Sequence, residues 1–407
     1  MDRFFTAESI ANPYTNYADL HDKDPVHRLE DEDDVFLVTR HDDCEYVLSD
    51  AETFSSKAGP GLRQRSLMSA PTVVADAKYR VVRTLLTNDP PSHSRYRRLV
   101  AKAFSARRMA GMEDFMRETL SGLIDDLDPS GDIDFVTDLA EPLPLIVIAS
   151  FLGVPLSDLD DFRRWSIDAA EVLGGQLTPE RSQECHDSLI ELLGYFDRQL
   201  AERQENPRED FLTALLEGPV NGEDPLTREE MLSIAYVTLV AGNETTANLL
   251  SSAMLLLLHN PQVLEQVQEE RDLIPLMVEE ALRLEAPVQG SVRVATRDAS
   301  IGDVNVPQGS RVLVVAGAAN YDPEVFPEPD QMDLERDNGR SHLTFGKGIH
   351  LCLGASLSRI EARIMFDVLF DHFDQFELAH SFDPPYAQNA VLRSLKSLPM
   401  HVSQASA

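Results

Sequence analysis

Cys352 stands in the segment Phe345 to Gly354 (FGKGIHLCLG), with Gly346, Gly348 and Gly354 around it and a helical pattern just beyond. A helix N-terminus and converging backbone N–H groups stabilise a thiolate over a thiol, and the thiolate is the form that attacks electrophiles and binds metals. The glycines also let the backbone lie flat against something large. The same residue equally fits a small buried hydrophobe, which is what most free cysteines are. A Rossmann phosphate loop is excluded, because after Gly346 and Gly348 the third glycine position is Leu351. Zinc would draw on His342, His350 and Cys352, which lack CxxC or HxxxH pairing.

A second candidate lies in AGNETT (Ala241 to Thr246), two small residues followed by four polar ones. Ala241 and Gly242 leave space beside them, Glu244 is a proton donor or acceptor, and the Thr245 hydroxyl can bond a carbonyl one turn earlier. Taken alone, this reads as an exposed polar patch or a capped kink.

The element that carries AGNETT is the strongest helix of the chain. Thr227-Arg228-Glu229-Glu230 is a capping box, and the pattern runs without proline to His259, where Asn260-Pro261 opens the next helix. That is ~30 residues or ~45 Å, apolar on most faces, so it must cross the centre of the molecule. A second helix spans about Leu273 to Glu285 and stops at Pro287, and an amphipathic one covers about Ala355 to Phe373. VFLVTR (Val35 to Arg40) and the pieces VRVAT, SIGDVNVPQG and SRVLVVAGA read as strands. The stretch Lys57 to Asn88 has weak periodicity and reads as a long loop with one helical turn. The expected class is mainly α with a minor antiparallel β portion, and no linker divides residues 1–407.

Composition sets the outer limits. The 407 residues are 43% apolar and 26% charged, enough for a large core. A formal charge of −33 makes nucleic acid and anionic lipid poor partners. MDRFFTAESIANPY lacks the marks of a secretory signal, and Leu143 to Pro155 is too short for a bilayer that needs ~20 apolar residues. Three widely spaced cysteines fit a reducing cytoplasm better than a disulfide framework. The expected protein is cytoplasmic, without a membrane anchor, and monomeric.

The segment Phe345 to Gly354 resembles the haem-binding signature of the cytochrome P450 superfamily, Phe-x-x-Gly-x-x-x-Cys-x-Gly. The family's other marks follow in order over nearly the whole chain, most like its soluble bacterial members. The resemblance implies the cytochrome P450 fold in a single catalytic domain, with a long central distal helix over a haem b. It makes Cys352 the thiolate ligand of the iron, a ligand that favours cleavage of the dioxygen O–O bond. Phe345 and Gly346 lie in the ligand loop, and Gly348 and Gly354 allow close approach. AGNETT resembles the distal motif, which gives Ala241 the place beside the haem and makes Glu244 and Thr245 the catalytic proton relay. NDPPSHSRYRRLV resembles Asp-Pro-Pro-x-His-x-x-x-Arg and nominates His93 and Arg97 for the haem propionates, together with Arg293 and His350. Glu280 and Arg283 match Glu-x-x-Arg, and Arg336 resembles the third member of that structural cluster. One departure is Asn320-Tyr321-Asp322-Pro323 where Asn-Arg-Asp-Pro is usual.

The implied activity is insertion of one oxygen atom from dioxygen into a hydrophobic small molecule, by hydroxylation or epoxidation. The two electrons come from a separate ferredoxin or flavodoxin carrier with its reductase, since the sequence holds no flavin or nicotinamide fingerprint. From His93 to Arg108 there are six Lys/Arg and no acid, so a carrier is expected to dock near Arg98, Lys102 and Arg108, with Lys347, Arg359 and Arg363 nearby. A peroxide-driven enzyme of the same fold fits less well with the Glu244-Thr245 pair, and a gas sensor needs no distal relay. The expected pocket walls are the 57–88 loop, the helix face with Val237, Val240 and Ala241, the turn Val288 to Val292, and the region near Val391. Lys57, Arg63, Arg65, Lys78, Arg80 and Arg83 in the loop also admit an acidic substrate.

Overall fold

The computed structural model describes the chain except residues 1–3, 5, 30–33, 59–71, 75–77, 106–107, 110, 129, 175–176, 218–223, 380–383 and 405–407. Its helices are α1 (Ala7–Ala11), α2 (Tyr14–Lys23), α3 (His41–Ser49), α4 (Ser92–Ala101), α5 (Glu113–Asp125), α6 (Pro142–Leu152) and α7 (Leu159–Gly174). They continue with α8 (Pro179–Glu205), α9 (Phe211–Leu216), α10 (Arg228–His259), α11 (Pro261–Glu269), α12 (Ile274–Leu284), α13 (Ala316–Ala319) and α14 (Ala355–His372).

The centre of the molecule is α10, 32 residues long. Its start is the capping box read from the sequence: the Glu230 N–H donates to Thr227 Oγ1 at 3.2 Å, and the Thr227 N–H donates to Glu230 Oε2 at 2.8 Å. Helices α6, α7, α8, α12 and α14 all pack on it, so burial on most faces, and not one amphipathic stripe, holds it in place. Helix α6 carries proline at its start and ends on Gly153 in the left-handed conformation (φ +86°). A Cβ there would stand 2.1 Å from the Asp210 carboxylate, so glycine is required.

The strands are β1 (Val26–Arg28), β2 (Val35–Val38), β3 (Phe54–Ser55), β4 (Thr72–Val74), β5 (Arg80–Val82), β6 (Asp132–Asp134) and β7 (Ser291–Ala295). The rest are β8 (Ala299–Ile301), β9 (Val304–Val306), β10 (Arg311–Val314), β11 (Phe373–Leu378) and β12 (Pro399–Gln404). The main sheet has the order β1-β2-β10-β7-β3. It is mixed, which corrects the expectation of a purely antiparallel portion: β2 and β10 run parallel, with Val35 opposite Arg311. These two strands lie some 270 residues apart, so no hairpin dictates their direction, and the intervening helical mass serves as the crossover. The 57–88 stretch also departs from a plain loop, since β4 and β5 pair as an antiparallel ribbon. A three-stranded sheet, β11-β12-β6, ties the C-terminal segment to residues 132–134 and had no clear sequence signal.

Candidate active site

The ligand loop is bent by its glycines. Gly346 and Gly348 have φ of +71° and +67°, and a Cβ on Gly348 would meet the Leu48 carbonyl oxygen at 2.9 Å. These turns bring the Cys352 N–H to the Phe345 carbonyl at 2.9 Å and leave the cysteine at the mouth of α14. Gly354 has ordinary helical φ, and a Cβ there would meet Cys352 Sγ at 3.9 Å, an ordinary contact, so neither backbone strain nor a clash within the chain demands glycine at this position. Cys352 is exposed, whereas Cys44 and Cys185 are buried, so it is not the small core hydrophobe that most free cysteines are. Surrounding protein atoms nevertheless desolvate the thiol and push it up, against the N–H groups of Gly354 and Ala355 and the positive charges of Arg97 and Arg359. Among the described residues no group of three or more His, Cys, Asp and Glu side chains could hold a metal ion, which removes the zinc alternative.

On α10, Ala241 is exposed and Val237, Glu244 and Thr245 are half-buried, while almost all other residues from Met231 to Leu255 are buried. Spacings of four, seven and eight place them on one face, a stripe that the neighbouring helices leave uncovered. Val240, expected beside them on the pocket wall, is 8% exposed. Thr245 Oγ1 donates to the Ala241 carbonyl at 2.8 Å, the back-bond the motif predicts, and α10 stays helical through it. Glu244 Oε1 accepts from Ser394 Oγ at 3.1 Å. Burial raises its carboxyl to about 7, with Glu141 and Glu171 adding to the rise and the Ser394 hydrogen bond opposing it. Buried Asn243 donates to Ser166 of α7 at 2.9 Å and so fixes that helix over the motif.

The four nominated anion ligands group as expected. The rings of His93 and His350 lie 4.3 Å apart, and Arg97 donates to the carbonyl of Leu351. Both ring nitrogens of His93 and Nε2 of His350 are buried without a hydrogen-bond partner among the described residues. Among the described residues, buried Arg293 donates from Nη1 to the Val292 carbonyl at 3.0 Å and to Ser291 Oγ at 3.4 Å. Burial lowers its guanidinium to about 10, with Asp89 opposing, and burial followed by Arg97 lowers His93. Buried donors without acceptors, set among cations, suit a ligand that brings carboxylates. Together with an open cysteine at a helix mouth, this donor set fits a haem and its two propionates.

Behind the loop, Glu280 and Arg283 form a two-bond fork at 2.8 Å each, and Arg336 Nε joins Glu280 at 3.3 Å. Arg283 also donates to the carbonyls of Asn320, Pro329 and Gln331, which ties α12 to the meander. Asn320 passes this order to the ligand loop: its Oδ1 accepts from the Leu343 N–H at 2.8 Å and its Nδ2 donates to Thr344 Oγ1 at 2.9 Å. Tyr321, where arginine is usual, donates its hydroxyl to the Leu284 carbonyl at 3.2 Å.

Several basic residues have internal partners. Arg95 pairs with Glu230, Arg363 with Glu113 and Lys347 with Glu45, while Arg108 donates to the Glu209 carbonyl over the Phe151 ring. Arg98 and Lys102 are exposed, and Arg107, Arg63 and Arg65 lie outside the described residues. In the 57–88 stretch Lys78 pairs with Asp197 at 3.0 Å and Lys57 with Asp89 at 3.9 Å, which leaves less charge for an acidic substrate. Sequence reasoning missed Ser394, Asn248, Ser166 and Glu279, because their partners are distant in the chain and no local spacing marks them.

This arrangement, a cysteine loop at the mouth of one helix and an acid–alcohol pair in the middle of a long core helix, recurs in solved structures. CYP109Q5 from Chondromyces apiculatus superposes with a TM-score of 0.87 at 34% identity, covering 99% of this chain and 98% of that one. P450BioI, in complex with an acyl carrier protein bearing hexadec-9Z-enoic acid, gives 0.88 at 30% identity, covering 98% and 99%. The fold class is therefore that of the haem-thiolate oxygenases.

The cytochrome P450 family model matches residues 175–400. The chain is 34% identical to 6-deoxyerythronolide B hydroxylase of Saccharopolyspora erythraea, over 96% of each protein. It is 33% identical to vitamin D(3) 25-hydroxylase of Pseudonocardia autotrophica, over 99% of this chain and 97% of that one. The chain belongs to the cytochrome P450 family. It is a bacterial monooxygenase that acts on small molecules with dioxygen, and membership implies a haem held through a cysteine thiolate. Among the described residues no helix is long and apolar enough to cross a membrane.

Proposed function

We propose that this P450 inserts one oxygen atom into a hydrophobic small molecule, with Cys352 as the iron ligand and Glu244 and Thr245 as the proton relay. The observation that carries the reading is the pairing of an open Cys352 with both ring nitrogens of buried His93 and Nε2 of half-buried His350, which have no hydrogen-bond partner among the described residues. When bound, haem supplies dioxygen activation and oxygen transfer. The chain's residues do the rest. His93, Arg97, Arg293 and His350 would hold the propionates, and Gly346 and Gly354 belong to the loop that would lie against the ring. The small side chain of exposed Ala241 would leave room beside the ring on α10. Glu244, with a carboxyl near 7, can release and regain a proton at neutral pH. The Thr245 hydroxyl, anchored on the Ala241 carbonyl, presents its lone pairs to the same space.

The substrate is read from the walls. Half-buried Val237 and exposed Ala241 are apolar, and the loop's lysines are paired with carboxylates, so a neutral terpenoid, steroid, polyketide or fatty acyl chain suits the space better than a free acid. The relatives named above act, by their names, on 6-deoxyerythronolide B and on vitamin D(3). Electrons come from a separate ferredoxin or flavodoxin, docking around exposed Arg98 and Lys102 with Arg108 behind them. The chain works as one catalytic domain, in the cytoplasm, as a monomer.

The test is a reduced carbon monoxide spectrum of the purified protein with and without candidate ligands. The wild type should give a strongly red-shifted Soret band and neutral hydrophobic ligands should move the ferric spin state. Cys352→Ser should abolish the red-shifted band; a retained band would refute Cys352 as the ligand.

A further inference from the structure

The sequence sets Arg359 on the proximal side as part of a docking patch, yet its guanidinium faces inward. It lies 4.4 Å over the centroid of the Phe345 ring. Phe345 is the residue whose carbonyl receives the Cys352 N–H. Arg359 is held there from behind by Glu279, with Nε to Oε1 at 2.7 Å and Nη2 to Oε2 at 2.9 Å, while Nη1 donates to the carbonyl of Ala355, the first residue of α14, at 3.3 Å. Glu279 is 3% exposed and also receives His342 Nε2 at 3.1 Å, with Arg340 Nε at 3.6 Å. Burial pushes its carboxyl up, but the hydrogen bonds from His342 and Arg359 outweigh that and hold it at about 2. The charge is therefore present at any working pH. Glu279 adjoins Glu280 in sequence but serves a different cluster, the one that touches the ligand loop.

We propose that Arg359 is a positioning residue for the ligand loop whose charge favours the reduced state of the bound iron, and that Glu279 sets how much of that charge the site feels. This rests on the reading of Cys352 as the iron ligand. A fixed cation beside an anionic ligand stabilises the state that carries one electron more, and a carboxylate on its far side offsets the effect. Stacking on Phe345 fixes where the cation sits. Because Arg359 is one third exposed, solvent screens part of its field.

Charge and structure predict different signs. If the pair were only a brace, Arg359→Gln and Glu279→Gln would shift the reduction potential in the same direction or leave it alone. Under the proposal Arg359→Gln lowers the midpoint potential and Glu279→Gln raises it, while Arg359→Lys, which keeps the charge, stays near the wild type. The measurement is a dithionite titration of each holoenzyme with mediator dyes, each variant checked first for its reduced carbon monoxide Soret band. Shifts of one sign, or none, in variants that keep the band overturn the Arg359 assignment alone. A wild type that lacks the red-shifted band overturns the Cys352 reading and this proposal with it.

Discussion

Glu244 and Ser394 meet at 3.1 Å although 150 residues separate them, and the same hydroxyl accepts from Asn248 Nδ2 at 2.9 Å. A serine hydroxyl has one proton to give, so the bond from Asn248 orients it to donate to Glu244. The C-terminal segment thus holds the acid of the distal motif. Ser394→Ala removes a bond that favours the ionised carboxylate, worth about 0.5–1.5 kcal/mol, so the Glu244 titration midpoint should rise from about 7 by up to about one unit. Infrared titration of the protonated carboxyl band, assigned by its loss in Glu244→Gln, reads this directly. An unmoved midpoint would show that Ser394 does not act on Glu244.

What was legible in the sequence was local. The capping box at Thr227, the i,i+3 pair Glu280–Arg283 and the glycine-bracketed Cys352 are written within a few residues of chain, and the geometry each implies is present. The back-bond from Thr245 is of the same kind. What was hidden depends on distant segments meeting. The parallel pairing of β2 with β10, the Ser394 bond and the Glu279–Arg359 clamp each join elements from different parts of the chain, and neither spacing nor periodicity encodes such a meeting. Charge was misleading for a related reason: a run of basic residues reads as a patch, but whether each cation faces water or a carboxylate is decided by packing, as Arg95 and Arg363 demonstrate.

The Glu280 cluster should behave as a brace. Arg283 has no exposed side-chain surface and Glu280 only 2%, so removing the acid leaves a buried cation whose remaining partners are carbonyls. Glu280→Ala should cost ~3–5 kcal/mol, the usual penalty for breaking a buried pair from one side. Because Asn320 links this cluster to Leu343 and Thr344, the variant should also lose haem at lower temperature. Urea unfolding and Soret absorbance during heating check both; a loss below ~1 kcal/mol would mean that the carbonyls alone suffice.

Glu361 on α14 is another buried acid. It is 1% exposed, its Oε2 has no hydrogen-bond partner among the described residues, and burial alone raises its carboxyl from an ordinary 4.5 to about 8. Between those two values the folded chain keeps a proton that the unfolded chain releases, so the contribution of Glu361 to stability is fully present below about pH 4.5 and is lost as the pH rises through about 8. Glu361→Gln keeps the shape without the proton. Its stability relative to the wild type should therefore climb between pH 5 and 9, by roughly a few kcal/mol. Glu244 titrates in part of the same range, but it is present in both proteins and cancels in the difference. Urea unfolding of the pair at several pH values gives the answer: parallel stability curves would mean that Glu361 is not held protonated in the fold.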